Sequence, residues 1–219
     1  MQLFRAVIIV SLLSPSLFLF ARDRDTRAII ERLYKNHSGY GIAAQEEEFI
    51  KSAGSSSTYG EITYEGAQQL IDEFHLRAKD VFYDLGCGVG KFVVQVYLNT
   101  PVKKAVGIEL SKTRATNAGL VHRQLKRDGL IKKNRKLVFA EKNILDANLS
   151  DATAIFVSSL CFSDGMMERT TEKLAALKPG LRVATSRELA KNPKFELIKV
   201  MQIPMSWSQS STVHFYRLK

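Results

Sequence analysis

The stretch from Val81 to Gln95 limits what this chain can fold into more than any other. Val81-Phe82-Tyr83-Asp84-Leu85 is a β-type apolar run carrying one acid. Gly86, Gly88 and Gly90 then alternate with Cys87 and Val89, and a new apolar periodicity opens at Phe92. That order spells strand, tight turn and helix start. Glycines here let the backbone approach a ligand closely, and the amides opening the next helix face whatever is bound. A dinucleotide fingerprint places its third glycine three residues beyond the second. Here it comes after two, and Lys91 takes the dinucleotide position, so the spacing departs from the dinucleotide form.

The G-x-G-x-G form preceded by Asp84 resembles the first motif of the class I methyltransferases, which bind S-adenosylmethionine (SAM). The resemblance implies that Asp84 and the loop amides of Gly86, Gly88 and Gly90 take the zwitterionic methionine end. A second apolar run, Lys104 to Leu110, contains Glu109 roughly 20 residues past the turn, where a strand-end acid accepts both ribose hydroxyls. A third strand over Leu137 to Ala140 leads to Asn143, a partner for adenine, and Ile144, a flank for its ring. A fourth, Ala154 to Val157, runs into Ser158 and Ser159. Strand carboxyl ends line the ligand crevice of a doubly wound sheet, which puts both serines near the transferred methyl.

The rest of the chain completes the pattern. A helix is expected from Gly165 to Leu177, stopped by Lys178-Pro179-Gly180, with further strands at Leu181 to Thr185, Phe195 to Met201 and Thr212 to Arg217. Seven strands with intervening helices match the sheet of the class I methyltransferases, and that resemblance implies an α/β, Rossmann-like, mostly parallel sheet with helices on both faces and an antiparallel last strand. At 219 residues and 45% hydrophobic, the chain suffices for one core, assigned to residues 59–219. Thr63 can cap a helix that carries Ala67, Leu70, Ile71 and Phe74 on one face.

Upstream, residues 1–21 hold an uncharged apolar run from Ala6 to Ala21, which reads as a signal-peptide core or a membrane anchor, with possible membrane contact through residues 6–21. Residues 22–58 form a helical extension: an amphipathic helix over Arg22 to Asn36, a second over Ala43 to Ala53, and a flexible linker at Gly54-Ser55-Ser56-Ser57-Thr58.

Charge is uneven. The formal net charge is +10, and residues 112–136 hold nine Lys and Arg against the single acid Asp128. Such a block suits an acidic partner such as nucleic acid, a nucleosome or an anionic membrane, or else it is a solvated helix face. Cys87 and Cys161 make neither a disulfide framework nor a zinc spacing, and the histidines are scattered, so no metal site is expected.

Over about residues 58–217 the chain resembles the DOT-type (disruptor of telomeric silencing) histone-lysine methyltransferases. Tyr59-Gly60-Glu61 is similar to that family's Y-G-E loop, followed by a similar helix at Gln69, Ile71, Asp72 and Glu73. Asp84 to Gly90 matches its D-L-G-S-G-V-G, Gly107-Ile108-Glu109 its G-V-E, and Ser206-Trp207 its S-W pair. Ile155 to Phe162 resembles its I-F-V-N-N-F-A-F, with Ser158-Ser159 standing where the family has paired Asn. Lys91 replaces a Gln, Asn143-Ile144 an Asp-Phe, Ile62 a threonine, and a late tyrosine falls near His214.

The resemblance implies SAM as cofactor, bound by Tyr59, Gly60, Glu61, Thr63, Asp84, Gly86, Gly88, Gly90, Lys91, Glu109, Asn143, Ile144 and Ser158. It implies methyl transfer to a lysine of a core histone or another basic protein, with Trp207 walling an apolar channel, Ser158 as its polar guide and Glu61 at the methionine end. Two other readings stand beside it: the same fold acting on a small-molecule or membrane-associated acceptor, and a non-catalytic module binding nucleic acid. The apolar amino terminus points to a membrane or secretory route, the resemblance to the nucleus.

Overall fold

The computed structural model describes residues 15–219, with side chains from residue 25 onward. The apolar run expected as a signal or anchor lies, up to residue 14, outside the described residues. Its remainder opens helix α1 (Pro15–Tyr34), which therefore starts earlier than the charged periodicity of residues 22–36 predicts. Among the described residues no helix is long and apolar enough to cross a membrane. Ile30, Leu33 and Tyr34 are buried, as that periodicity requires.

Two short helices follow, α2 (Ala44–Ser52) and α3 (Tyr64–Phe74), and then the alternating part of the chain: β1 (Val81–Leu85), α4 (Lys91–Asn99), β2 (Lys104–Glu109), α5 (Lys112–Arg127), β3 (Lys136–Glu141), β4 (Ala154–Val157), α6 (Asp164–Ala175) and β5 (Arg182–Thr185). A hairpin of β6 (Phe195–Met205) and β7 (Ser208–Leu218) closes it. The seven strands form one sheet in the order β3-β2-β1-β4-β5-β7-β6. Strands β1 to β5 pair in parallel, and β7 runs antiparallel to both neighbours, as expected for the last strand.

Period-2 alternation sorts the side chains of β1 between two cores. Phe82 packs edge-on against Phe74 of α3 and Phe92 of α4, with ring centroids 5.8 and 5.3 Å apart, and Phe92 meets Phe156 at 5.4 Å. Tyr83 and Leu85 point to the other face, among Ile155, Val157, Met167 and Leu174. Helix α4 is buried from Phe92 to Tyr97 because α1 lies over it, which explains a segment apolar nearly all round. Replacing Phe92, at the crossing of both aromatic pairs, with Ala costs about 3–5 kcal/mol.

Two expectations are corrected. Gly54-Ser55-Ser56-Ser57-Thr58 is no free linker. The Ser56 N–H donates to the Cys161 carbonyl at 2.9 Å, the Ser163 N–H donates to the Gly54 carbonyl at 2.9 Å, and Ser55 and Phe162 form an antiparallel bridge. Composition marks such a segment as flexible, but its backbone groups find distant partners. The basic stretch is also smaller than its sequence. Arg114 is buried, Arg135 donates to the Tyr97 and Val102 carbonyls at 2.6 and 2.7 Å, and Asp128 pairs with Arg32 at 2.7 Å. Lys112, Arg123, Lys126, Arg127, Lys132, Lys133 and Lys136 are exposed.

Candidate functional site

The carboxyl ends of β1, β2 and β4 open into a cavity of about 380 Å³, covered from the other side by α2 and the loop that leads into α3. Tyr59, Gly60, Glu61, Asp84, Gly86, Gly88, Lys91, Glu109, Asn143, Ile144, Ser158 and Trp207 all line it. Residues far apart in sequence converge because parallel strands deliver their carboxyl ends to one edge.

The glycine turn holds left-handed backbone at Gly88, with φ of 55°, and a Cβ there would stand 2.7 Å from the ring of Tyr59. Glycine is required twice over: for the backbone angle and for the approach of that ring. Glu109 ties the turn down. One carboxylate oxygen accepts the Gly88 N–H at 2.8 Å and the other accepts the Ser111 N–H at 2.8 Å. Asp84 is as buried as Glu109, yet its Oδ1 has no hydrogen-bond partner. Burial first, and then the neighbouring Glu109 charge, pushes its carboxyl up to about 8. Burial raises Glu109 also, against the pull of its two backbone donors and of Arg114. The same two acids, after burial, raise the Cys87 thiol, and both cysteines are free.

The Y-G-E loop supplies the facing wall. The Tyr59 hydroxyl donates to Glu61 at 2.8 Å, and the other Glu61 oxygen is paired with the Lys91 ammonium. Trp207 sits in the turn between β6 and β7, and its ring lies on Gly60 so closely that no Cβ fits between them. Backbone bonds lock this contact: the Ser206 N–H donates to the Glu61 carbonyl at 2.8 Å, and the Glu61 N–H donates to Ser206 Oγ at 2.9 Å. Trp207 remains 47% exposed, so it walls the cavity mouth and is not a core residue.

At the far end, Asn143 Oδ1 accepts the Leu145 N–H at 2.9 Å, which leaves the Asn143 amide nitrogen free to donate, and Ile144 is buried beside it. Ser158 reaches the cavity whereas Ser159 does not, because Ser159 Oγ accepts the Arg187 N–H at 3.0 Å. His214 pairs with Thr185 in the β5–β7 register, with its imidazole 3.6 Å from Glu188, and takes no part in the wall.

Two expected cofactor contacts are absent from the wall. Thr63 caps α3, its hydroxyl accepting the Gly66 N–H at 3.0 Å and donating to the Pro204 carbonyl at 3.0 Å. Gly90 opens α4 with φ of 85° beneath the ring of Phe139, where a Cβ would collide. The sequence reading missed Ile50, Leu110, Arg114, Cys161 and Met205, all of which line the cavity. Leu110 follows Glu109 directly and could have been read as a neighbour. Arg114 was masked by the basic residues around it. Among the described residues no group of three or more His, Cys, Asp or Glu could hold a metal ion.

The wall thus offers an unpartnered acid, a second acid aligned with a glycine turn, an amide donor and apolar flanks. That donor set fits a ligand with a cationic head, adjacent hydroxyls and a flat ring. Two solved methyltransferases share the fold at low identity. An RNA methyltransferase from Salinibacter ruber in complex with S-adenosyl-L-homocysteine has a TM-score of 0.55 at 18% identity, over 69% of this chain and 89% of its own. The magnesium protoporphyrin IX methyltransferase of Synechocystis PCC 6803 with bound SAM has a TM-score of 0.52 at 10% identity, over 95% of this chain and 99% of its own.

Curated relatives are nearer in sequence. An H3 lysine-79 specific histone-lysine N-methyltransferase of Caenorhabditis elegans is 34% identical over 150 residues, which is 64% of this chain and 16% of that protein. Its counterpart in Drosophila melanogaster is 29% identical, over 61% of this chain and 8% of that protein. A protein-lysine N-methyltransferase of Saccharolobus islandicus (strain REY15A) is 32% identical over 61% of this chain and 78% of that protein. The chain therefore spans under a fifth of the two animal relatives. The family model "Histone methylation protein DOT1" matches residues 42–216, and by that match, with its glycine turn, Y-G-E loop and Ser-Trp hairpin assembled round one cavity, the chain belongs to the DOT1 family.

Proposed function

We propose that this chain binds SAM in the β1–β2–β4 cavity and transfers its methyl group to the side-chain amine of a protein lysine. The observation that carries the reading is Asp84, a buried carboxylate with one oxygen unpartnered beside a glycine turn already fastened by Glu109. A buried acid left in that state costs stability, and a cationic amino group relieves it. Asp84 takes that group, Glu109 the ribose hydroxyls, the Asn143 amide an adenine nitrogen, and Ile144 the ring face. Glu61 and Lys91, joined across the methionine end, offer one charge to each terminus of the zwitterion.

When bound, the cofactor supplies an electrophilic methyl on a sulfonium, and the residues of the chain supply position. In-line transfer needs the amine neutral and its lone pair aimed at the methyl. Trp207 over Gly60 excludes water from the approach, which lowers the pKa of an entering ammonium by desolvation. Ser158, at the carboxyl end of β4, presents a hydroxyl that orients the neutral amine.

The acceptor class, a lysine of a histone or another basic protein, is supported by the names of the relatives. Contact with nucleic acid or a nucleosome is proposed through the exposed Lys126, Arg127, Lys132, Lys133 and Lys136. The test is incubation of wild-type and Asp84→Ala protein with labelled SAM, nucleosomes and free histones, with modified residues located by mass spectrometry. Lysine labelling by wild type alone is expected. Equal labelling by both proteins, or label only on small molecules, overturns the reading.

A further inference from the structure

We infer that Arg114 is a positioning residue for the cofactor, acting as the clasp that fixes the covering segment and the Tyr59 ring across the glycine turn. The inference rests on the SAM-binding reading above. Arg114 lies five residues after Glu109 on the first turn of α5 and is 7% exposed. Its partners are carbonyls: Nε donates to Gly39 at 3.0 Å and an Nη to Ser57 at 2.6 Å. The guanidinium carbon lies 4.5 Å from the centre of the Tyr59 ring. One planar group thus joins two points of the chain 18 residues apart and packs on the ring that stands against Gly88.

The rest of the same helix turn works in the same direction. The Glu46 carboxylate of α2 accepts the Ser111 hydroxyl, the Thr113 N–H at 2.9 Å and the Thr113 hydroxyl at 2.7 Å. Asn117 Nδ2 donates to the Ser38 carbonyl at 3.0 Å. Residues 38–59 are therefore fastened to the start of α5, from its cap Ser111 through its first one and a half turns, just beyond Glu109, the residue that fastens Gly88. Holding the cover and holding the turn become one structural act. Lysine cannot substitute, because two carbonyls and a ring face need a fork with several fixed donors, and an ammonium is a point charge. The Arg114 charge also draws Glu109 toward its ionised form.

The test is calorimetry with S-adenosyl-L-homocysteine on wild type, Arg114→Lys and Arg114→Ala, paired with steady-state kinetics and timed trypsin digestion at Lys51. Product affinity is expected to fall about tenfold in Arg114→Lys and about a hundredfold in Arg114→Ala. KM for SAM should rise in step, with KM for the acceptor within about twofold of wild type and cleavage at Lys51 accelerated. Affinity and SAM KM unchanged in both variants would overturn the inference. So would losses that only track the fraction of protein still folded, read from thermal melts of the same samples. Wild type failing to bind the product would instead sink the SAM-binding reading itself.

Discussion

Asp84 and Glu109 end neighbouring parallel strands and face one cavity, yet Glu109 has a backbone donor on each carboxylate oxygen while Asp84 keeps one oxygen bare. The difference divides the labour between them. Glu109 spends its charge on architecture, and under the proposed SAM binding its remaining lone pairs would take the ribose hydroxyls. Asp84 is left with a buried oxygen that a proton or a bound cation can satisfy.

That strain has a pH signature. The Asp84 carboxyl is raised to about 8 in the folded chain from an ordinary value near 4. A raised folded pKa means its contribution to stability is fully present below the unfolded value and is lost as pH rises through about 8. Asp84→Asn should therefore melt close to wild type at about pH 4 and increasingly above it toward pH 9, by on the order of 1–3 kcal/mol. Differential scanning calorimetry across that range measures it, and the same variant should bind SAM measurably but more weakly than wild type. A variant less stable than wild type at alkaline pH contradicts the assignment.

Ligand binding should carry the opposite slope. Because the amino group pairs with ionised Asp84, SAM affinity is expected to strengthen as pH rises from about 6 to 8, and the dependence should vanish in Asp84→Asn. Isothermal calorimetry in buffers of different ionisation enthalpy reads the proton release directly.

Much of this site was legible because its parts are local. The strand, the three alternating glycines and Glu109 are each decided by a few adjacent residues, and the sheet edge brings them together by topology alone. Thr63, expected as a cofactor contact, lies off the cavity wall and caps α3, because cap residues and ligand residues share a chemistry that sequence does not separate. Gly90, also expected as a cofactor contact, has a second reason to be glycine, in its φ and the Phe139 ring, that sequence does not show. Arg114 carries the largest lesson. In a run of cations a buried one has no mark of its own, since its partners Gly39 and Ser57 lie in another part of the chain.

The Tyr59–Gly88 contact makes a sharp mutational case. Gly88→Ala forces a side chain to φ 55° and sets a methyl 2.7 Å from the Tyr59 ring, so the turn or the cover must move. A stability loss of about 1–3 kcal/mol is expected, with SAM affinity falling beyond detection. Gly165→Ala, in the first turn of α6 with open space around it, is the control that should leave SAM affinity unchanged and stability equal or slightly raised. Equal SAM affinity in wild type and Gly88→Ala would refute the close approach.

Trp207 should separate acceptor from cofactor. It is half exposed on a hairpin tip, so Trp207→Ala is expected to cost less than about 1 kcal/mol of stability. Removing the ring readmits water to the amine's approach, so kcat should drop and acceptor KM rise, with SAM affinity within about threefold of wild type. Replacement by Phe should restore part of kcat. If the Ala variant loses SAM binding and kcat together, Trp207 belongs to the cofactor wall and not to the channel.

The exposed cations Lys132, Lys133 and Lys136 precede or open β3, and Lys126 and Arg127 end the helix that returns from the cavity edge. In a parallel sheet this places them at the amino-terminal edge, across the domain from the carboxyl ends that line the candidate cavity. A polyanion held there cannot also fill the lysine approach, so charge contact and chemistry are separable. Reversing Lys132, Lys133 and Lys136 to Glu should cut activity on nucleosomes by about tenfold or more at low salt, with the deficit shrinking as salt rises. Activity on free histones and SAM affinity should stay at wild-type levels, because neither depends on that edge. Kinetics on the two substrates at several salt concentrations decide it: parallel losses on both place the basic edge in the acceptor site, and no loss on either reduces it to a solvated face.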